Sequence, residues 1–221
     1  VISRYYYLSE ITKNSTYFTK FWQDIINNTG LINQKKLTEP YINLGDFYIQ
    51  KGNYLEALKN YIKAKKNVKY DSNDSLFYHI ISRIGIIKKW QGDTRGAISL
   101  FKRIHKYYKS KKYTKNIPNE YHILLLQLSS SYIKINELDS AFYYNDINRK
   151  LSLKFQSNTI YGYTIYVDGE IEFKKKKLNS AIKKFERAIQ YIIKDYNYTT
   201  ISNIYNYLAE SYALLENKKQ S

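Results

Sequence analysis

One short pattern returns along this chain at a nearly constant distance, and it restricts the possible folds more than any other feature. The stretches LGDFYIQKGNYLEALKNYIKA from Leu44, IGIIKKWQGDTRGAISLFKRI from Ile84, LSSSYIKINELDSAFYYNDIN from Leu128, DGEIEFKKKKLNSAIKKFERA from Asp168 and LAESYALLENKKQS from Leu208 can be set in register. Small residues then coincide at Gly45, Gly85, Ser129, Gly169 and Ala209, spaced by 40, 44, 40 and 40 residues. A second small series follows twelve residues later at Ala57, Ala97, Ala141, Ala181 and Ser221. Aromatics stand four residues beyond the alanines at Tyr61, Phe101 and Phe185. Self-similarity of this period marks stacked repeats, each a supersecondary unit too small to bury its own apolar face.

Each unit reads as two helices with a break between them. Leu44, Phe47 and Tyr48 mark one face of a first helix, and Leu55, Leu58, Tyr61 and Ile62 mark one face of a second. Gly52, Gly92 and Asn136 fall at the break, where the chain must enter the left-handed region that Gly and Asn tolerate. Lys176 and Glu216 stand at the corresponding positions of the later units. The small residues let two helix backbones approach closely, so a large side chain at Gly85 or Ala97 is expected to cost about 1–3 kcal/mol. An earlier, degenerate unit is expected over residues 1–37: Tyr5 lies forty before Gly45, and Phe21 forty before Tyr61. Tyr17, Phe21, Trp22 and Ile25 have helical spacing there, and Asn27-Asn28-Thr29-Gly30 is a stop signal.

Composition removes the competing classes. There is no cysteine, hence no disulfide scaffold or thiolate metal site. Two prolines and eight glycines leave little material for the turns of an all-β fold, and 43% hydrophobic with 17% aromatic residues is too rich for disorder. No apolar run reaches the ~18 residues of a membrane span. The formal charge is +17, which points first to a polyanion. It is spread, however: residues 51–100 and 101–150 each carry 10 basic and 4 acidic side chains, and no window is a dedicated basic arm. The lysines fall largely at helix ends and linkers and the tyrosines at packing positions, so the charge reads as a solvated exterior.

Catalytic motifs are missing: there is no GxxxxGK[ST], GxGxxG, HExxH or nucleophile elbow. His79, His105 and His122 are scattered, although His79 and His122 lie near the starts of successive first helices and could approach. Asp168, Glu170 and Glu172 lie on one helix among lysines and read as a solvated face. Asp71-Ser72-Asn73-Asp74 lacks the later Gly and Glu of a calcium loop and reads as a linker with an N-cap. Lys174–Lys177 and Lys109–Lys115 end helices, where cations favour the dipole. Tyr61 and Tyr132 read as core rather than as platforms for stacking bases. No cofactor or metal is expected.

The repeats resemble the tetratricopeptide repeat family in its long-period bacterial form. The matching residues are Leu44, Gly45, Tyr48, Gly52, Tyr54, Ala57, Tyr61 and Ala64 in one unit. Ile84, Gly85, Gly92, Ala97 and Phe101 match in the next, and Gly169, Leu178, Ala181, Phe185 and Ala188 in a later one. The unit between is weaker, with Asn145 and Asn148 where an aromatic and a small residue are usual. The usual period is 34. The resemblance covers residues 38–221 and implies an all-α, right-handed α-solenoid of stacked antiparallel hairpins. Units are expected at 1–37, 38–74, 75–118, 119–157 and 158–197, with 198–221 incomplete, in a chain that is a fragment of a longer protein.

In this family first helices line a concave groove. Carried over by register, the resemblance implies a groove lined by Asn43, Asp46, Gln50, Arg83, Ile86, Lys89, Trp90, Gln127, Ser130, Lys134, Tyr163, Tyr166, Glu170, Phe173, Asn206 and Glu210. Amides there can bond a peptide backbone and aromatics can take its side chains. Members that clamp a C-terminal carboxylate use Lys and Asn where this chain has Ile42 and Asp46, so that subclass is excluded. The expected function is a non-enzymatic scaffold for a protein or extended peptide, within the sensor or interaction region of a bacterial signalling or transcriptional regulator. A nucleic-acid-binding solenoid and a homo-oligomerisation scaffold, such as a homodimer, are the alternatives.

Overall fold

The structure is a computed structural model that describes residues 15–29, 34–68, 75–111, 118–195 and 198–220. Ten α-helices run through the described residues: α1 Ser15–Thr29, α2 Thr38–Gln50, α3 Tyr54–Lys66, α4 Ser75–Trp90 and α5 Thr94–Lys109 come first. They are followed by α6 Asn119–Lys134, α7 Leu138–Lys154, α8 Asn158–Lys174, α9 Leu178–Ile192 and α10 Tyr198–Gln220. Short 3-10 turns at Gln34–Leu37 and Ile193–Asp195 complete the inventory, and among the described residues there is no strand. The chain divides into two compact units, 1–87 and 88–221, with the division inside α4. The expectations placed on Tyr5, Gly30, Asp71–Asp74, Lys112–Lys115 and Ser221 lie outside the described residues.

The breaks at Gly52, Gly92 and Asn136 take the left-handed conformation that their residues predict, and Lys176 takes it by its place in the repeat. Gly52 and Gly92 have φ of +71° and +94°, and Asn136 and Lys176 both have +59°. At each break a backbone N–H reaches back over the turn, as from Asn53 to the Tyr48 carbonyl (2.9 Å) and from Lys177 to the Glu172 carbonyl (3.0 Å). These bonds satisfy carbonyls that the ending helix leaves open. The Asn53 and Asp93 side chains then accept from the N–H groups of Glu56 and Gly96, capping α3 and α5. The same turn recurs where the sequence shows no signal: Gln156, between α7 and α8, has φ +55°.

Unit 1 packs α1, α2 and α3. The coincidence of small and aromatic residues has a direct cause here. A Cβ added to Gly45 would stand 2.7 Å from the ring of Tyr61, which is fully buried. In unit 2 the pair repeats between α8 and α9, with Gly169 beneath Phe185. Ala57, Ala97, Ala141 and Ala181 are each fully buried, as the second small series requires.

Several helix faces differ from those read by periodicity. α1 buries Phe18, Trp22 and Ile26, while Tyr17 is exposed. Phe18 is stacked on Phe47 of α2 at 4.9 Å, and this contact sets the rotation of α1. In α3 the buried residues are Ala57, Asn60, Tyr61 and Ala64, and Leu55 and Ile62 are exposed, because the small residues and not the largest aliphatics meet α2. α10 buries Ile204, Leu208 and Ser211 and exposes Tyr205 and Tyr212. It also continues through Glu216, where a turn is expected from the register.

The weak repeat is compensated within unit 2. Asn145 of α7 holds the place of the buried aromatic, and its Nδ2 donates to the Thr164 carbonyl and to Asp168 Oδ1, both at 2.8 Å. Asp168 of α8 is buried, not solvated. It stands in the column of Leu44, Ile84 and Leu128, with Arg149 Nη2 at 2.6 Å and Lys184 Nζ at 3.7 Å. Burial raises its carboxyl above the usual aspartate range, against those two cations. Asn148 in turn holds α7 to α6, with Oδ1 2.6 Å from His122 Nδ1. The expectation of one solvated carboxylate face fails because α8 packs against helices on several sides.

Candidate functional site

The candidate residues on first helices follow from spacing. Asn43, Asp46 and Gln50 lie three and four residues apart on α2, as do Gln127, Ser130 and Lys134 on α6 and Tyr163, Tyr166 and Glu170 on α8. Such residues share one stripe of a helix.

In unit 1, Asp46 Oδ1 accepts the Tyr61 hydroxyl at 2.6 Å and lies 3.2 Å from Arg83 Nε. The Arg83 contact is an ion pair without hydrogen-bond geometry at Nε. Burial and the Asp46 carboxylate push the Tyr61 hydroxyl far above its ordinary range, so it stays a donor. Asn43 is half-buried, Gln50 is exposed, and Ile86 is buried in the packing.

In unit 2 the arrangement is denser. Lys89, at the C-terminal end of α4, donates to Gln127 Oε1 and, at 3.1 Å, to Ser130 Oγ of α6. Lys134 Nζ donates to the Lys89 carbonyl at 3.1 Å, satisfying a terminal acceptor of α4. Burial, then the Lys134 charge, push the Lys89 ammonium down to about 8, and Glu170 opposes them. Trp90 follows on α4, 47% exposed.

On α8, Glu170 Oε1 accepts the hydroxyls of Tyr166 and Tyr207, each at 3.1 Å. Rings gather around it: Phe173 meets Tyr207 at 5.2 Å, Tyr166 meets Tyr207 at 6.4 Å, and Tyr207 stacks on Phe185 at 5.1 Å. Burial raises the Glu170 carboxyl; the two tyrosine bonds and the charges of Lys89 and Lys174 work against that shift. Tyr166 and Tyr207 are both pushed up, by burial first and then by Glu170. Tyr163 packs against the buried cluster of α9 and α10, while Asn206 and Glu210 are exposed on α10.

The structure therefore joins Asp46 to Arg83 in unit 1, and Lys89 to Gln127 and Ser130, with Lys134 beside them, in unit 2. It makes Tyr207 the partner of Glu170, a residue the register reading left out. The column of Gln127 reads Tyr207 eighty residues later and could have found it. His122 is engaged by Asn148 and His105 by Tyr121, at 3.2 Å. Among the described residues no three His, Asp or Glu side chains converge as metal ligands would. No described helix is long and apolar enough to cross a membrane.

No protein-family model matches the chain, and no curated protein matches its sequence. Solved structures do. A signal-transduction ATPase with numerous domains and a tetratricopeptide repeat sensor, from Pyrococcus horikoshii, superposes with a TM-score of 0.72 at 16% identity, over 93% of this chain and 31% of that one. The apo form of RapI gives 0.65 at 13% identity, over 95% of this chain and 57% of RapI. The Cut9–Hcn1 hetero-tetramer of APC/C gives 0.59 at 19% identity, over 79% of this chain and 30% of that one. The chain thus spans well under two thirds of the length of these neighbours. The likeness establishes the fold: an all-α array of hairpins of the tetratricopeptide repeat type.

Proposed function

We propose that this chain is a protein-binding scaffold that takes an extended peptide along the first helices of unit 2. The observation that carries the reading is the set of donors and acceptors that Lys89, Gln127, Ser130 and Lys134 bring together from α4 and α6. A face built only to pack would hold apolar residues there, since a partly desolvated ammonium group such as that of Lys89 costs free energy. Amide, hydroxyl and ammonium groups beside exposed Trp90 suit a peptide backbone and an apolar side chain. The hairpin fold shared with a component of the Cut9–Hcn1 assembly supports a scaffold.

A photo-crosslinking amino acid at position 90, with position 153 as a control on the exposed side of α7, tests the reading. Discrete protein adducts in cells are expected from 90 and not from 153; equal adducts from both, or none from 90, reject it. Trp90→Ala should weaken the adduct partner's binding without loss of helical signal. If the helical signal collapses, Trp90 is structural.

The finer reading, a sensor or interaction region of a bacterial signalling or transcriptional regulator, is supported by the likeness to the sensor-bearing ATPase. An ATPase, kinase or DNA-binding module in the same gene is the expected finding; a gene encoding the array alone would sink it.

A further inference from the structure

We infer that Glu170 is the anchor for a basic side chain of the bound segment, an arginine first and a lysine second. The inference rests on the peptide-binding reading of unit 2 and adds the chemistry that the peptide must carry.

The geometry around Glu170 is unusual for a structural carboxylate. Both tyrosine hydroxyls fall on one oxygen, Oε1. Among the described residues no hydrogen bond falls on Oε2, and no Lys or Arg forms an ion pair with the group. The contrast with Asp168 on the same helix is direct: Asp168 is buried with an arginine, a lysine and an asparagine amide around it. Buried carboxylates are ordinarily paired in that way. Among the described residues Glu170 has no such ion pair, the charges of Lys89 and Lys174 acting on it only from beyond ion-pair distance, and it lies on a stripe that still touches solvent.

The surroundings complete a site for a cation. Tyr166, Phe173 and Tyr207 present rings beside the carboxylate, and ring faces attract cations. A guanidinium stacks on such rings and loses less hydration than an ammonium, and its fork can span an oxygen and a ring face. The two tyrosine bonds hold Oε1, so the approach is to Oε2. Charged and titratable groups facing the site are Lys174 on α8, Lys89 from α4, and Glu210 near the Tyr207 hydroxyl on α10. Lys89 and Lys134 repel a second basic residue on the α6 side, so the favoured segment carries one basic residue with a neutral or acidic neighbour on that side. The chain's +17 makes this preference a local property of Glu170, because the overall field disfavours cations.

The test is a pair of otherwise identical peptides, acetyl-GSASRESAG-amide and the same sequence with citrulline for arginine, titrated into the isotopically labelled full chain and followed by NMR. Citrulline keeps the shape and removes the charge. The arginine peptide is expected to shift the amides of Tyr166, Glu170 and Tyr207 and to bind at least about tenfold more tightly, a ratio worth about 1.4 kcal/mol. Glu170→Gln, which can still accept both tyrosine bonds, should abolish the ratio and leave the citrulline affinity unchanged. Equal binding of the two peptides at this face overturns the inference while the peptide-binding reading stands. Absence of binding by either peptide also overturns the inference, and the crosslink from position 90 then decides the broader reading separately. If Glu170→Gln fails to fold, the arginine-to-citrulline ratio in the unmodified chain is sufficient.

Discussion

A methyl group on Gly169 would stand 2.6 Å from the ring of Phe185, which is fully buried and cannot swing into solvent. Gly169→Ala should therefore destabilise the chain by about 1–3 kcal/mol through overpacking. Chemical denaturation should show a lower midpoint; an unchanged midpoint would mean that α8 and α9 separate freely. At Lys89 the prediction concerns a proton. Its folded value of about 8 lies below the ordinary lysine value of 10.5, so folding favours the neutral amine. The associated stability is present above the ordinary lysine value and is lost as pH falls through about 8. Lysine-directed NMR should find its midpoint near 8. Lys134→Gln should move that midpoint up and Glu170→Gln should move it down, because those two charges act on it in opposite senses. A midpoint in the ordinary lysine range would place the amine in open water.

At the scale of elements, the seam between α7 and α8 shows how two departures from a repeat make one interaction. Asn145 leaves the aromatic column and Asp168 leaves the aliphatic one, and they bond each other at 2.8 Å. Asp168→Leu alone restores the column's residue type but removes one of the two acceptors of the Asn145 amide, leaving the Thr164 carbonyl, and one of the two carboxylates of Arg149, leaving Asp146. It should cost about 1–3 kcal/mol, the penalty of buried partners left short of an acceptor. Adding Asn145→Leu should recover at least about 1 kcal/mol of that, since removing both partners of a buried polar pair can be nearly neutral. A double-mutant cycle by urea unfolding measures the recovery; strict additivity would mean that the pair is not coupled.

For the whole molecule the governing quantity is charge. A net +17 on 221 residues repels itself at low ionic strength. Raising sodium chloride from about 10 mM to 150 mM shortens the screening length from roughly 30 to 8 Å, and should raise the thermal midpoint by a few degrees. A falling midpoint would show that the ion pairs outweigh the repulsion. The same charge no longer argues for base stacking through Tyr61 or Tyr132, since both rings are buried.

The sequence by itself determined the hairpin. A period near 40, small residues opposite aromatics, and Gly or Asn at the breaks at 52, 92 and 136 are local or strictly periodic signals. Each reports a backbone requirement or a close approach that few residue types satisfy. It also placed most of the stripe that carries Lys89, Gln127, Ser130 and Glu170, because register along a helix is periodic. Tertiary structure decided what periodicity averages away. Which side of α1, α3 and α10 is covered depends on a neighbour's shape, as in Phe18 on Phe47 and in the exposure of Tyr205 and Tyr212. Whether a carboxylate is paired depends on residues far along the chain. Asp168 meets Arg149 and Lys184, whereas Glu170, two residues on, meets the hydroxyl of Tyr207. Both read in sequence as acids on one lysine-rich helix. Only the packing of α7, α9 and α10 around α8 gave Asp168 its ion pairs and, among the described residues, gave Glu170 tyrosine hydroxyls in their place.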